Sequence, residues 1–367
     1  MLILMVSLLG MSLAMMDLVQ GYFGAASKDA STLVALNLAE AAVDRAIWRL
    51  SRAPNWRAVS EEQNMPLGQG TYSVVSITPG EDGILQLTTE GYVPNATAPR
   101  RTMVRLQVDL APVYGKPFAG AALGDQGVPV ADGNTDSYNS SAGPYGGSNV
   151  GDEGSVYTNG TTPGCIYIGP NGEVRGNVYY PPGAGPEVVS NKGRITGSIL
   201  ESPSETTFVP FDVPAGAVEI TPIKSTTVLS GGTYVIRGNP AIDLKGNSSL
   251  TCLGPVILYL DGDANIGGNG IATAGNLPAN LRIFGLQNCT QVNISGNGAL
   301  YAAVYAPNAD IDLNGAGSSG VVFGSLAGKT VSFQGNGTII HYDTALREIQ
   351  GVVTRYRVAR WAWRRTE

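Results

Sequence analysis

Charge is scarce in this 367-residue chain, where Asp, Glu, Lys and Arg make up only 14% of residues, against about 25% in an ordinary globular domain. The net charge of −6 gives no reason to expect nucleic-acid binding by the body of the protein. Histidine occurs once, at His341, which excludes His-based zinc clusters and makes any Ser-His-Asp triad depend on that residue. Three cysteines, Cys165, Cys252 and Cys289, allow at most one disulfide and match no zinc spacing; Cys252 and Cys289, if on nearby coils, either bridge or, as favoured here, stack as small buried hydrophobes. No phosphate-cradling loop of the Walker type and no G-x-S-x-G elbow between strand and helix is present. The first positive charge is Lys28, so the basic region that precedes the apolar core of a secretory signal is missing.

What is present at the start is a glycine-poor, proline-free stretch of about fifty residues. It is apolar from Met1 to Met16 and becomes amphipathic through Leu33, Leu36, Leu38, Ala42, Ala46, Ile47 and Leu50. A helix over Leu2 to about Ser51 would be on the order of 75 Å long at 1.5 Å per residue. A small domain cannot cover that length, so part of the helix must meet lipid, copies of itself, or both. Ala53, Pro54 and Asn55 stop it. Asp17 is the only ionised side chain in the first 27 residues; it either pairs with a cation or amine of a neighbour or marks a membrane boundary.

Three alternating runs follow, at 72–78, 84–89 and 102–110. In the last, Val104, Leu106, Val108 and Leu110 share one face while Arg105, Gln107 and Asp109 share the other. They predict a small antiparallel meander lying on the amphipathic half of the helix. The apolar start, the tail LNLAEAAVDRAIWRL over 36–50 and this sheet resemble a type IV pilin or pseudopilin after leader removal. The resemblance covers about the first 110 residues. It implies a helix held in the inner membrane before assembly and then packed in the core of a helical filament. The assembly interface it implies comprises Leu2, Ile3, Leu4, Met5, Val6, Leu8, Leu9, Leu13, Asp17, Leu18, Leu33, Leu36 and Ile47. Pilins usually carry a glutamate where Met5 stands here, which puts an ordinary shaft role in doubt and leans toward a minor subunit.

From about Lys116 the texture changes to short apolar runs separated by Gly, Asn and Ser. A unit of apolar residue, any, Gly, any, Gly recurs at Ile266, Ile294, Leu313 and Phe333. The spacings are 28, 19 and 20 residues, and Leu244 with Gly246 extends the series 22 residues upstream. Shorter echoes are Val174 and Val178 around Gly176, and Ile195 and Ile199 around Gly197. A coil of roughly twenty residues cannot bury its own apolar face, so coils must stack into a continuous core. The fold class is therefore α+β: a long N-terminal helix, a small antiparallel sheet and a parallel β-solenoid of about ten coils, with a β-sandwich head as the alternative. The texture over 135–151 and 301–315 also resembles the Gly-rich solenoid heads of some pilin-like proteins and bactofilin-like solenoids.

Candidate chemistry in the solenoid is weighed against structural roles. Asp310 with Asp312, or Asp261 with Asp263, have a spacing that glycoside cleavage could use, but no basic partners recur beside them. Asp261, Asp263 and Asn265 open like a calcium loop, yet Ile266 and Ala272 stand where the EF-hand needs glycine and glutamate. Asn269, Asn297 and Asn336 are expected to hydrogen-bond along the stack. His341 is expected at the exit from the last coil. No cofactor or metal is expected.

Residues 345–367 carry arginines around two tryptophans and are read as a basic, aromatic cap on the last coil. Arg357, Arg360, Trp361, Trp363 and Arg364 form a candidate interaction strip there. Seven N-x-S/T sequons, the first at Asn95, matter only in a host that glycosylates its surface proteins. The resulting organisation is 1–53 helix, 54–115 meander, 116–344 solenoid and 345–367 cap. The expected function is a non-enzymatic filament subunit at the cell surface, with an anchored adhesive or carbohydrate-binding module and a polysaccharide-acting β-helix enzyme as alternatives. Expected partners are copies of itself or other pilins, the inner membrane and assembly machinery, and surface glycans.

Overall fold

The computed structural model describes residues 2–53, 56–80, 84–209, 213–315, 320–349 and 353–364. Side chains are described from Gly10 onward, except Thr354 and residues 362–364. The chain forms two compact units, one of Met1–Val113 with Val353–Glu367 and one of Tyr114–Val352.

The first unit holds α1 (Leu2–Leu50), β1 (Glu62–Leu67), β2 (Gly70–Pro79), β3 (Leu85–Val93), β4 (Thr102–Tyr114) and a C-terminal strand, Val353–Arg364. The sheet order is β1-β2-β3-β4 followed by the C-terminal strand. Neighbours β1 to β4 pair antiparallel, with Leu87 opposite Val108 and Thr89 opposite Leu106. The three predicted runs are β2, β3 and β4; β1 is a mostly exposed strand that no alternation announced. Pro54 and Asn55, expected to stop α1, lie outside the described residues.

The helix meets this sheet through small residues. Ala35, Ala39, Ala42 and Ala46 recur every three or four positions and bury fully against Val74, Leu85, Leu87, Val104, Leu106 and Val108. That alanine stripe lets β3 approach the helix backbone. At Gly91 an added Cβ would stand 2.0 Å from the Ala35 carbonyl oxygen, and the Thr89 hydroxyl donates 2.9 Å to the Ala39 carbonyl. Burying two polar groups is tolerated because each satisfies the other.

The C-terminal segment departs from the expected cap on the solenoid. Val353–Arg364 is instead a strand of the first unit's sheet, beside β4. Tyr356 and Val358 turn onto the helix-sheet core, while Arg355, Arg357 and Arg360 face outward. The alternation of arginine with apolar residues is the period of a half-buried strand. The turn at Thr344–Glu348 and the following Ile349 stay with the second unit, where Leu346 is fully buried. In chain order the second unit thus falls between two strands of the first unit's sheet.

The second unit is a parallel stack with three strands in most turns, so that each strand pairs with the one three further along the chain. Among the described residues every strand pairs with its neighbours in parallel, an isolated antiparallel bridge between Ser137 and Gly151 apart, which agrees with a solenoid and departs from the hairpins of the sandwich alternative. One face contains ten stacked strands among the described residues. The predicted repeats lie in register: Leu244, Ile266, Ile294, Leu313, Phe333, Val130 and Ile168 form a continuous ladder of neighbours. All but Ile266 and Ile294, which are nearly so, are fully or almost fully buried. The shorter echoes also align, Val174 beside Ile195 and Val178 beside Ile199. After the ladder residue the chain turns a corner, and Gly246 and Gly268 both take φ of +59° there, a conformation that a side chain would strain.

The order of coils is not the order of the chain. The first strand, Ala122–Val130, pairs with Val321–Gln334 from the last full coil, Ala122 standing beside Leu326. From this seam the early coils wind away through Val156–Thr158 and Val178–Tyr180 to Ile199–Glu201. The chain then returns along the outside and begins again at Val218–Ile220 at the opposite end. The returning strap is held by a reciprocal pair between Asn159 and the Thr206 backbone. Phe208 stacks on Tyr305, whose hydroxyl accepts from the Val209 N–H at 2.9 Å.

Candidate functional site

The helix α1 divides into a covered half and an uncovered half. From Ala35 to Leu50 its apolar side chains, Trp48 excepted, pack on the sheet. From Met11 to Phe23 they do not: Met11, Leu13, Met15, Met16, Leu18, Val19, Tyr22 and Phe23 are all exposed, Leu18 by 74%. A contiguous apolar surface of this extent is the signature of a surface that another molecule covers. Among the expected assembly residues, Leu13 and Leu18 belong to this uncovered surface, and Leu33, further along, is also exposed. Leu36 and Ile47 do not, because they pack against the helix-sheet core of their own unit. The side chains of Leu2, Ile3, Leu4, Met5, Val6, Leu8 and Leu9 lie outside the described residues, although their backbone is helical. Asp17 is exposed and has no ion-pair partner among the described residues. Among the described residues, no helix is long and apolar enough to cross a membrane.

Polar groups where α1 ends knit the first unit. Glu62 receives Arg49 at 2.9 Å and Arg45 at 3.5 Å. Glu90 is buried between Arg105 and the Tyr92 hydroxyl. Burial, then the bond to Glu90, pushes the Tyr92 phenol up to about 12. In the candidate interaction strip, Arg357, Arg360 and Trp361 are exposed; the side chains of Trp363 and Arg364 lie outside the described residues.

In the second unit the acidic pairs are tied to neighbouring coils. Asp310 accepts from Lys329 at 3.2 Å and Thr330 at 2.7 Å, and Asp312 from Gln291 at 2.7 Å. Asp261 meets Arg237 and Asn288, each at 2.8 Å. Burial would raise the Asp263 carboxyl, but bonds from the Thr290 and Gln291 backbone N–H groups, both 2.9 Å, hold it below the usual carboxylate range. These carboxylates act as corner clamps between coils. Asn269 donates to the Asn247 carbonyl one coil away, and Asn293 to Asn265, as the asparagine series predicts for Asn269; among the described residues Asn336 and Asn297 make no such bond. No cluster of three or more metal-ligating side chains occurs among the described residues.

The cysteines are unbridged. Cys252 and Cys289 lie in the solenoid core, where burial pushes their thiols up to about 11 and about 12. His341 is more than an exit residue: its Nδ1 lies 2.6 Å from Asp136 Oδ1, and its ring continues an outward-facing ladder with Tyr301 and Phe323. The sequence reading missed this ladder. Its signal is one aromatic ring at a matching offset in successive coils, about twenty residues apart, where local patterning does not look.

A family described only as a domain of unknown function, DUF7305, matches residues 211–349, which hold the second run of coils, from the far end back to the seam. No curated protein matches this chain. Among solved structures, the competence-associated pilin ComZ from Thermus thermophilus is similar at 14% identity over 91% of this chain and 97% of that one, with a TM-score of 0.28.

Proposed function

We propose that this chain is a pilin-like structural subunit, non-enzymatic, that polymerises through its N-terminal helix and carries its solenoid outward on a cell-surface filament. The observation that carries the reading is the uncovered apolar surface of α1, Met11 to Phe23, on a helix whose other half buries an alanine-rich stripe against its own sheet. Burying each large side chain there against parallel copies contributes about 1.5–3 kcal/mol, which is the driving force for assembly. Before assembly the same surface, together with the apolar run that begins at Leu2, is held in the inner membrane. Asp17 then needs a cation or amine from a neighbouring subunit, since an unpaired carboxylate in apolar surroundings costs several kcal/mol.

The test is electron cryomicroscopy of filaments sheared from cells that express the protein, compared with Leu13→Asn, Leu18→Asn and Phe23→Asn combined. The expected result is filaments with bundled N-terminal helices from the parent and none from the variant. Normal filaments from the variant would sink the proposal.

A further inference from the structure

The second unit carries a cleft of about 480 Å³ between two loops, lined by Tyr138, Ser140, Pro144, Tyr145, Asn276, Leu277, Tyr301 and Phe323 among others. That volume lies within the roughly 300–1,000 Å³ of small-molecule sites. Its floor is the outward ladder, where Tyr301 and Phe323 stack at 4.6 Å with their planes 6° apart. Tyr138 and Tyr145 stand edge-on to Phe323 at 6.1 and 5.7 Å.

The walls are held rather than loose. The Asn149 side-chain amide donates to the carbonyls of Asn139, Gly143 and Pro144, and Asp343 accepts from the Ser140 N–H. Tyr145 is fixed by its hydroxyl on Asp136 Oδ2, 2.6 Å away, and by its ring lying on His341 at 3.9 Å. Across the cleft, the Thr273 hydroxyl donates to the Leu277 carbonyl and Asn280 to the Ala274 carbonyl. A site ordered before binding loses less entropy when filled.

The polar groups that point to a ligand are those left over. Tyr138 is only 5% exposed, lines the cleft, and its hydroxyl has no partner among the described residues. The Ser140 hydroxyl and the Asn276 amide, which also line the cleft, are likewise unpaired among the described residues. No lining residue is charged. An anion would find no cation among the lining residues and would face the Asp136 and Asp343 carboxylates behind Tyr145 and Ser140, and a purely apolar ligand would leave the hydroxyls and the amide unsatisfied. A ligand with flat C–H faces for the rings and a rim of neutral hydroxyls for the polar groups satisfies both.

We propose that this cleft binds a neutral pyranose oligosaccharide, with a sugar ring against Tyr301, since Phe323 is itself covered by Tyr301 and His341, and its hydroxyls on Tyr138, Ser140 and Asn276. The proposal is independent of the filament reading. A subunit that assembles without binding sugar, or binds sugar without assembling, separates the two.

The test uses the full chain in a non-glycosidic detergent, with saturation-transfer NMR and calorimetry against cellohexaose, maltohexaose and chitohexaose, and against an oligogalacturonate as the anionic probe. At least one neutral probe binds, with Kd of about 1 mM or tighter. Tyr301→Ala weakens it about tenfold or more, Tyr301→Phe retains the stacking and most of the affinity, and Tyr138→Phe weakens it several-fold through the lost hydroxyl. Thermal unfolding of each variant shows that the fold is kept, and the paired Phe variants preserve packing if Tyr301→Ala does not fold. Absence of binding by all three neutral probes at about 10 mM would overturn the proposal. So would binding unchanged in Tyr301→Ala and Tyr138→Phe, or preference for the anionic probe.

Discussion

The two β regions of this protein bury their apolar residues by opposite means. The first unit's antiparallel sheet has one apolar face and needs α1 laid across it, so its core depends on close approach between two different elements. The solenoid needs no cover for its interior, because its faces close around one another and each coil repeats the last. A sheet covered by a helix concentrates its tolerance to change at a few contact points. A stack spreads the same burden along an axis, each coil depending on its two neighbours.

The comparison is most sharply broken at Gly91. Gly91→Val drives side-chain atoms into the Ala35 backbone and should cost more than about 3 kcal/mol. Hydrogen exchange should show β3 and the covered half of α1 losing protection while the solenoid strands keep theirs. Equal loss in both units would show that they do not fold separately. Leu258→Ala removes a fully buried rung that pairs with Tyr234 and Ile283 on either side. The cost should be about 2–5 kcal/mol, with lost protection centred on those neighbouring coils and fading along the stack.

A smaller effect tests the corner clamps. Because the Asp263 carboxyl is held below its ordinary range, it contributes stability that is present above the unfolded value of about 4 and lost as pH falls through the folded value. Asp263→Asn should therefore flatten the acid limb of the unfolding profile below about pH 4. An acid limb identical to the parent's would mean that the clamp does not couple protonation to folding. The smallest effect belongs to the uncovered half of α1. Leu18→Ser and Phe23→Ser should leave the isolated subunit's stability within about 0.5 kcal/mol of the parent, read by chemical denaturation in detergent. A drop of several kcal/mol would show that this surface is covered within the subunit.

Much of the fold was legible because its signals are local. The alternation in β4 marks its buried face residue by residue, and the alanines of α1 recur at helical spacing. The candidate site was legible only in part. Leu13 and Leu18 are uncovered within the subunit, whereas Leu36 and Ile47, on the same apolar pattern, turn toward the sheet. Periodicity says that a residue lies on an apolar face, not which partner covers it. The C-terminal arginines were misread for a related reason: Tyr356 and Val358 alternate with them as a strand does, but a strand's destination depends on a free sheet edge hundreds of residues earlier in the chain.

The sequence by itself determined the long helix, the small meander and the stacked coils, since each follows from side-chain spacing within one turn, one strand or one repeat. It determined even the ladder through Leu244, Ile266, Ile294, Leu313 and Phe333. Only the tertiary structure decided that the stack begins in its middle, that Ala122 pairs with Leu326, and that the last strand returns to the first unit's sheet. Coils that resemble one another carry no local mark of which shall be neighbours. That choice is made where segments some two hundred residues apart pair their backbones and close one continuous core.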